Sequence, residues 1–372
     1  MSGLPQEEDA PPVKPGCLFL LILAVALVGA VQAACGSAET LAGSSQKRFY
    51  VSISGSDRNP GTSARPWRTI AHAARALRAG QTALVRSGTY SENVNWSRGG
   101  RESARITIMA APGARVTITG RIKIVAAYVR LHGFRLLGQT SANANEVAIY
   151  VAGGRNIEIS GNEITRAARS GIYVSGGATD VRVVGNWVHD NGIRDDFDHG
   201  IYWGTGTRGL IANNIIESNA AYGVHLYPNA DDTVVTSNTI VDNGRSGIIV
   251  AGDSSASSDG NLLVNNILAF NHEFGIRTFW SSPVGTDNEA RANLTYRNAD
   301  GSVASGDQAR GITVYDTWED APDFVDREAS DYHLGSTSAA IGRALPDWAP
   351  ARDYDGRLRP QGAAPDLGAF ER

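Results

Sequence analysis

Asn214-Ile215-Ile216-Glu217-Ser218-Asn219-Ala220-Ala221-Tyr222-Gly223-Val224-His225-Leu226 is followed 24 residues on by Asn238-Thr239-Ile240-Val241-Asp242-Asn243-Gly244-Arg245-Ser246-Gly247-Ile248-Ile249-Val250. Both stretches share a frame: an asparagine, a second asparagine five positions later, and a Gly-apolar pair nine after the first. Extending the frame outward puts Asn162, Asn186, Asn214, Asn238, Asn266 and Asn293 in the first slot. Asn191, Asn219, Asn243, Asn271 and Asn298 fill the second, and the glycine pairs begin at Gly171, Gly200, Gly223, Gly247 and Gly275. Successive first asparagines are 24, 28, 24, 28 and 27 residues apart. A fixed period with short insertions is the signature of a solenoid.

Each unit holds short runs such as Val181-Arg182-Val183-Val184 that alternate side chains in and out with period two. A coil that buries ~6 aliphatic side chains gains roughly 12 kcal/mol. Ordering its ~24 residues costs about 1–2 kcal/mol each, so a single coil is not stable alone. Stacked coils complete each other's backbone hydrogen bonds, and asparagine at a repeated turn tolerates αL geometry and bonds its counterpart in the next coil. The expected fold is all-β, a single-stranded parallel β-helix, right-handed by the crossover rule. The rival leucine-rich repeat lacks its Leu-x-x-Leu-x-Leu frame here. Gly204-Thr205-Gly206-Thr207-Arg208-Gly209 matches a dinucleotide fingerprint, but no helix follows, and it reads as a repeat turn.

Residues 1–34 read as a signal peptide, with an apolar stretch over 17–31 that is short for a membrane span. A secreted, extracellular or periplasmic location follows, with residues 35–48 as a flexible lead-in. Cys17 lies inside the leader, so Cys35 has no disulfide partner in the mature chain; it is also the one position for a lipid anchor, the alternative to simple release. The chain carries 34 Lys and Arg against 38 Asp and Glu, net −4. That near-balance lacks the broad basic field of a nucleic-acid binder, so no nucleic-acid partner is expected, and a monomer is. Pro66 to Ala79 reads as a short helix capping the first coil, with Trp67, Ile70, Ala73, Ala74 and Leu77 on one face.

Tyr50-Val51-Ser52-x-Ser54-Gly55-Ser56-Asp57-x-Asn59-Pro60-Gly61-Thr62, then Pro66-Trp67-x-Thr69-Ile70 and Gly88-Thr89-Tyr90, resembles the N-terminal opening of pectate-lyase-like β-helix proteins. Asp353-Tyr354-Asp355-Gly356-Arg357-x-Arg359-Pro360 with Pro365-Asp366-Leu367-Gly368-Ala369-Phe370-Glu371 resembles a tail found in that superfamily. The likeness spans nearly all of residues 49–372, with the β-helix expected over 49–320 and a tail packing on it over 321–372. It is specific for the superfamily and weak for any one activity.

The residue after each Gly-apolar pair points outward, and that slot reads Tyr173, Tyr202, His225, Ile249 and Arg277. The coil starting at Asn186 carries five extra residues before its glycine, within Asn191-Gly192-Ile193-Arg194-Asp195-Asp196-Phe197-Asp198-His199-Gly200. Insertions in solenoids go to loops, often on the binding face. His199, Tyr202, His225 and Arg277 are the expected catalytic residues. Asp195, Asp196, Asp198, Trp203, Tyr227, Glu273 and Trp280 are expected to bind substrate. This set fits β-elimination on a uronic-acid polymer: an arginine neutralises the sugar carboxylate, a histidine removes the adjacent ring proton, and a tyrosine protonates the leaving oxygen. The resemblance implies a polysaccharide lyase or a C5-epimerase, which share the proton abstraction. It also raises calcium held by Asp195, Asp196 and Asp198, which the sequence does not establish.

Two alternatives stay open. Asp195-Asp196, His225 and Gly275-Ile276-Arg277 echo the order in polygalacturonases, which are inverting hydrolases, although Gly-His-Gly is replaced by Val224-His225-Leu226 and Asn-Thr-Asp is missing. The other alternative is a non-catalytic carbohydrate-binding β-helix at the cell surface. His72, His132 and His333 read as structural, and His189 is ambiguous.

Overall fold

A computed structural model describes residues 47–138, 147–278, 284–304 and 310–372. The expected signal peptide, Cys35 and Trp280 lie outside the described residues. Three parallel sheets of eleven, ten and ten strands run the length of the chain, and successive coils contribute a strand to each in turn. Strands Val94–Trp96, Ile122–Ile124, Ile149–Ala152, Ile172–Ser175, Ile201–Thr207, Val224–Asp231, Ile248–Val250, Phe274–Thr278 and Gly301–Val303 follow one another along the sheet that matters below. This is a parallel β-helix, as the repeat requires. A two-stranded antiparallel pair, Phe324–Asp326 with Asp331–Leu334, lies in the tail.

Asparagine amides connect the coils. Asn162, Asn186, Asn214, Asn238, Asn266 and Asn293 form one buried column, each Nδ2 donating to the next Oδ1 at 2.9–3.0 Å. Asn191, Asn219, Asn243, Asn271 and Asn298 form a second, at 2.9–3.0 Å. Each amide also closes the backbone: the Asn214 Oδ1 accepts from the Asn186 N–H at 2.9 Å and its Nδ2 donates to the Val183 carbonyl at 2.9 Å. The αL geometry expected of these asparagines belongs instead to the residue before each one. Gly185, Asn213, Ser237 and Asn265 precede the first column with φ of 52–62°, and Asp190, Ser218, Asp242 and Phe270 precede the second with φ of 51–58°. The chain turns one residue early, which aims the following amide inward, parallel to the stack.

The helix is shorter than expected, Ile70–Ala76, and Ile70, Ala73 and Ala74 join the continuous core. Thr69 caps it by accepting from the His72 N–H, and the Glu92 carboxylate accepts from the Ile70 and Ala71 N–H groups at 2.8 Å. Asp57 accepts from the N–H groups of Arg68 and Thr69, so the acidic residue of the opening motif fixes the helix entry. At the other end, residues of the tail pack on the outside of a sheet. Tyr332, Leu334, Leu367, Ala369 and Phe370 cover Ile215, Val241, Ile267 and Leu294. Strands Ile215–Glu217, Thr239–Val241 and Ile267–Ala269 are therefore buried on both faces.

Asn214→Ala strands the Asn186 N–H and the Val183 carbonyl in the interior, while the Asn238 Oδ1 keeps the residue 214 backbone N–H as its donor. The expected loss is about 3 kcal/mol, read as a lower denaturant midpoint, whereas a change at exposed Ala299 leaves the midpoint within about 0.5 kcal/mol.

Candidate functional site

Register fixes the outward column. Lys123 pairs with Tyr150, Tyr150 with Tyr173, Tyr173 with Tyr202, Tyr202 with His225, His225 with Ile249 and Ile249 with Arg277. The parallel rung spacing of about 4.8 Å makes this a line of roughly 29 Å. Tyr150, Tyr173 and Tyr202 stack face to face, with centroids 5.1 and 4.7 Å apart and planes within 12°. Their faces are occupied by one another, so the column offers ring edges and hydroxyls to solvent. Ile249 breaks the polar run because it packs with Ala221, Tyr222, Ala251 and Tyr227 in a small cluster outside the main core.

His199 and His225 meet directly, His225 Nδ1 lying 2.9 Å from His199 Nε2. Only 2% and 4% of their surfaces are exposed. Tyr202, Tyr222 and Tyr227 enclose His225 with centroids 5.1–5.2 Å away, the Tyr202 and Tyr227 rings lying nearly parallel to it. Burial pushes the His199 imidazole down to about 3, assisted by the Arg194 charge. Burial, then the neighbouring His199, lowers His225 well below the ordinary histidine range. Burial raises Tyr202 and Tyr222, so their hydroxyls stay protonated. A neutral base pair and protonated phenols thus lie side by side.

Beside them runs a chain of charges. Glu273 binds Arg245 through one oxygen and Arg277 through the other, both at 2.9 Å, and accepts from Ser246 Oγ at 3.0 Å. Arg245 also pairs with Asp196, donates to the Asp195 carbonyl at 2.7 Å, and lies over the Tyr222 ring. The structure therefore joins Asp196, Glu273 and Arg277 into one network.

Two expected substrate contacts are corrected. Trp203 is fully buried, because it follows outward Tyr202 and so points into the core; Gly206 and Gly209 leave room for its ring. Asp198 is fully buried and organises the insertion. Its carboxylate accepts from the Ile193 and Arg194 N–H groups and binds the Arg194 and Arg169 guanidinium groups. Asp198 and Asp196 give their oxygens to arginines, and among the described residues no group of three or more His, Cys, Asp or Glu is arranged to hold a metal ion. With their oxygens given to arginines and N–H groups, Asp196 and Asp198 do not fit a calcium site. Phe197, 58% exposed, stands out from the loop, with Arg194 against its ring.

Tyr150, Tyr222 and Arg245 were not among the expected residues, yet the repeat frame holds the signal. The slot before each glycine reads Ser170, His199, Tyr222, Ser246, Phe274, and the slot before that reads Arg169, Asp198, Ala221, Arg245, Glu273. The second is a column of alternating charge, and Arg169–Asp198 and Arg245–Glu273 are its ion pairs.

Two outcomes follow. The histidine values in the folded chain lie below those of the unfolded chain, so the unfolded chain takes up protons first on acidification. His199 therefore costs stability as the pH falls from about 6.5 towards about 3, by up to about 1.4 kcal/mol per pH unit, and His225 acts in the same direction below about 6.5. Denaturant titrations over that range should show a steeper loss in the native chain than in a His199→Gln/His225→Gln variant. Asp198→Ala should cost about 2 kcal/mol, since the half-exposed arginines it releases can turn to water, and should open residues 192–197 to protease.

The family model described as Pel9A-like, right handed beta helix region, matches residues 49–277. Among curated proteins, the uncharacterized protein YwoF of Bacillus subtilis (strain 168) is 30% identical over 232 residues, 59% of this chain and 46% of that protein. The chain thus spans about half the length of that curated relative. Among solved structures, pectate lyase Pel9A is similar with a TM-score of 0.64 at 17% identity, over 89% of this chain and 98% of that one. An alginate lyase from Paenibacillus sp. str. FPU-7 gives 0.54 at 16% identity, over 67% and 92%. Identities this low establish a shared fold. With the family match covering more than half of its length, the chain belongs to the Pel9A-like right-handed β-helix family.

Proposed function

We propose that this protein is carbohydrate-active and performs β-elimination, or the C5 epimerisation that shares its first step, on a uronic-acid polymer. The observation that carries the reading is the outward column itself. Protonated Tyr202 stacks 5.2 Å from neutral His225, two rungs before Arg277, which shares the Glu273 carboxylate with Arg245. The solved structures of the same fold include a pectate lyase and an alginate lyase, and pectate and alginate are both uronate polymers.

In this reading Arg277 and Arg245 take the sugar carboxylate and make the neighbouring C5–H bond more acidic. The His199–His225 pair accepts that proton. The C–H electrons form the C4=C5 double bond, the C4–O bond breaks, and Tyr202 gives its proton to the departing oxygen. Proton return from the imidazolium to the tyrosinate restores the site. Tyr227 lies over His225, so entry of the sugar ring displaces its side chain. Lost access to water is what keeps the imidazoles neutral until then. A polygalacturonase-type hydrolase would draw on Asp195 and Asp196, one of them protonated, and Asp196 gives a carboxylate oxygen to Arg245.

The mature chain incubated with polygalacturonate or alginate should raise ultraviolet absorbance from the unsaturated product. For the epimerase it should instead exchange the C5 proton with solvent. His199→Ala and Arg277→Ala should each lower that rate by about a hundredfold or more while preserving the far-ultraviolet circular dichroism. Full activity in either variant, or new reducing ends without unsaturation, would overturn the assignment.

A further inference from the structure

The near-neutral total conceals a strong separation of charge. From Lys47 to Gly138 the chain carries sixteen Lys and Arg against three Asp and Glu; from residue 139 to the end, seventeen face thirty-one. A parallel solenoid keeps chain order as spatial order, so the molecule is basic over its first coils and acidic over the rest. Three of the later basic residues of the first segment are neutralised by acids one or two coils on. Glu158 binds Arg105 and Arg130 at 2.7 and 2.9 Å, and Glu163 binds Arg135 at 2.9 Å.

Arg78, Arg98 and Arg101 have no such partner among the described residues, and all three are exposed. They converge on a shallow pocket whose remaining lining is Ala79, Gly99 and Gly100. The loop that carries two of them is fixed. Gly100 N–H donates to the Ala127 carbonyl at 2.9 Å, and Arg101 and Ala104 exchange both backbone bonds. A Cβ at Gly99 would come within 2.6 Å of the Ala127 oxygen, and one at Gly100 within 2.6 Å of the Ala104 and Tyr128 oxygens. Glycine at both positions lets the loop lie flush on the coil beside the hollow that the three arginines help to line. The pocket begins two residues after Trp96, whose strand is the rung beside Lys123, where the tyrosine column starts.

We propose that this basic end is a second binding surface, an anchoring site for a polyanionic polysaccharide, separate from the His199–His225 centre. Three arginines lining one hollow, with no ion-pair partner among the described residues, suit an anion that presents several carboxylate or sulfate groups along a chain. Single-stranded nucleic acid is a poorer occupant of the adjoining column. It needs open aromatic faces, and Tyr150, Tyr173 and Tyr202 cover one another, with Lys123 over the end ring. The proposal rests on charge and geometry, not on proton transfer at His199, so each can fail alone.

The test is affinity electrophoresis of the mature chain in gels containing polygalacturonate, alginate, a neutral glucan or duplex DNA. The uronate polymers should retard the chain in a salt-sensitive way and the glucan should not. Arg78→Ser/Arg98→Ser/Arg101→Ser should weaken that retention by about tenfold, with unfolding temperature and turnover of short oligouronates unchanged. The control Arg297→Ser/Arg343→Ser/Arg372→Ser, equal in net charge, should retain it. Equal retention of both triple variants would overturn the proposal. So would duplex DNA retarding the native chain as strongly as the uronates, which marks a non-specific basic patch. Salt-sensitive self-association abolished by the first triple variant would assign the surface to a second copy instead.

Discussion

The amide–amide hydrogen bond between successive coils is the constraint on which everything else depends. A solenoid must turn its chain three times per coil without leaving backbone groups unpaired inside, and the buried asparagines meet that need by using both ends of each amide. The same bond locks the rise per coil, because an amide reaches its neighbour only if the coils are in register. Once register is fixed, side chains at equivalent positions stand in columns. A column is then a unit of chemistry, able to repeat one residue for stability or vary it for a site.

The site illustrates the second use. One column supplies stacked tyrosines, the next inward supplies the imidazole His199 beside Tyr222, and a third supplies alternating arginines and carboxylates. None of these residues needs an unusual backbone to meet the others. Their unusual properties come from crowding. Aromatic neighbours remove water from the imidazoles and keep them uncharged, while the ion-paired column lies close enough to supply positive charge at the rim.

Much of this could be read from the chain alone, because a repeat turns alignment into geometry. The outward slot containing Tyr173, Tyr202, His225 and Arg277 follows from period two and a single glycine anchor. The errors have physical causes. Trp203 looked available because it adjoins Tyr202, but alternation that exposes one buries the other. Asp198 looked like one of three equivalent acids, and only the folded loop shows that two N–H groups and two arginines converge on it. The αL residue was assigned one position late, since asparagine's known tolerance for that geometry masks the more demanding task its amide performs. Burial on both faces of Ile215–Glu217 and Ile267–Ala269 depends on a tail more than sixty residues away in sequence, a relation that periodicity does not encode.

Two of the places where coils lengthen are the segment between Asn191 and Gly200 and the segment after Val250. Both fall at the ends of the sheet that carries the tyrosine column, and neither interrupts an asparagine ladder. The fold therefore separates what must be kept from what is free to vary. A lineage can add or trim residues at these two corners, reshaping the walls of the groove, while every coil-to-coil bond stays as it was. Innovation in such a molecule proceeds by loop length before it touches the core, and two descendants with different substrates can share an interior almost unchanged.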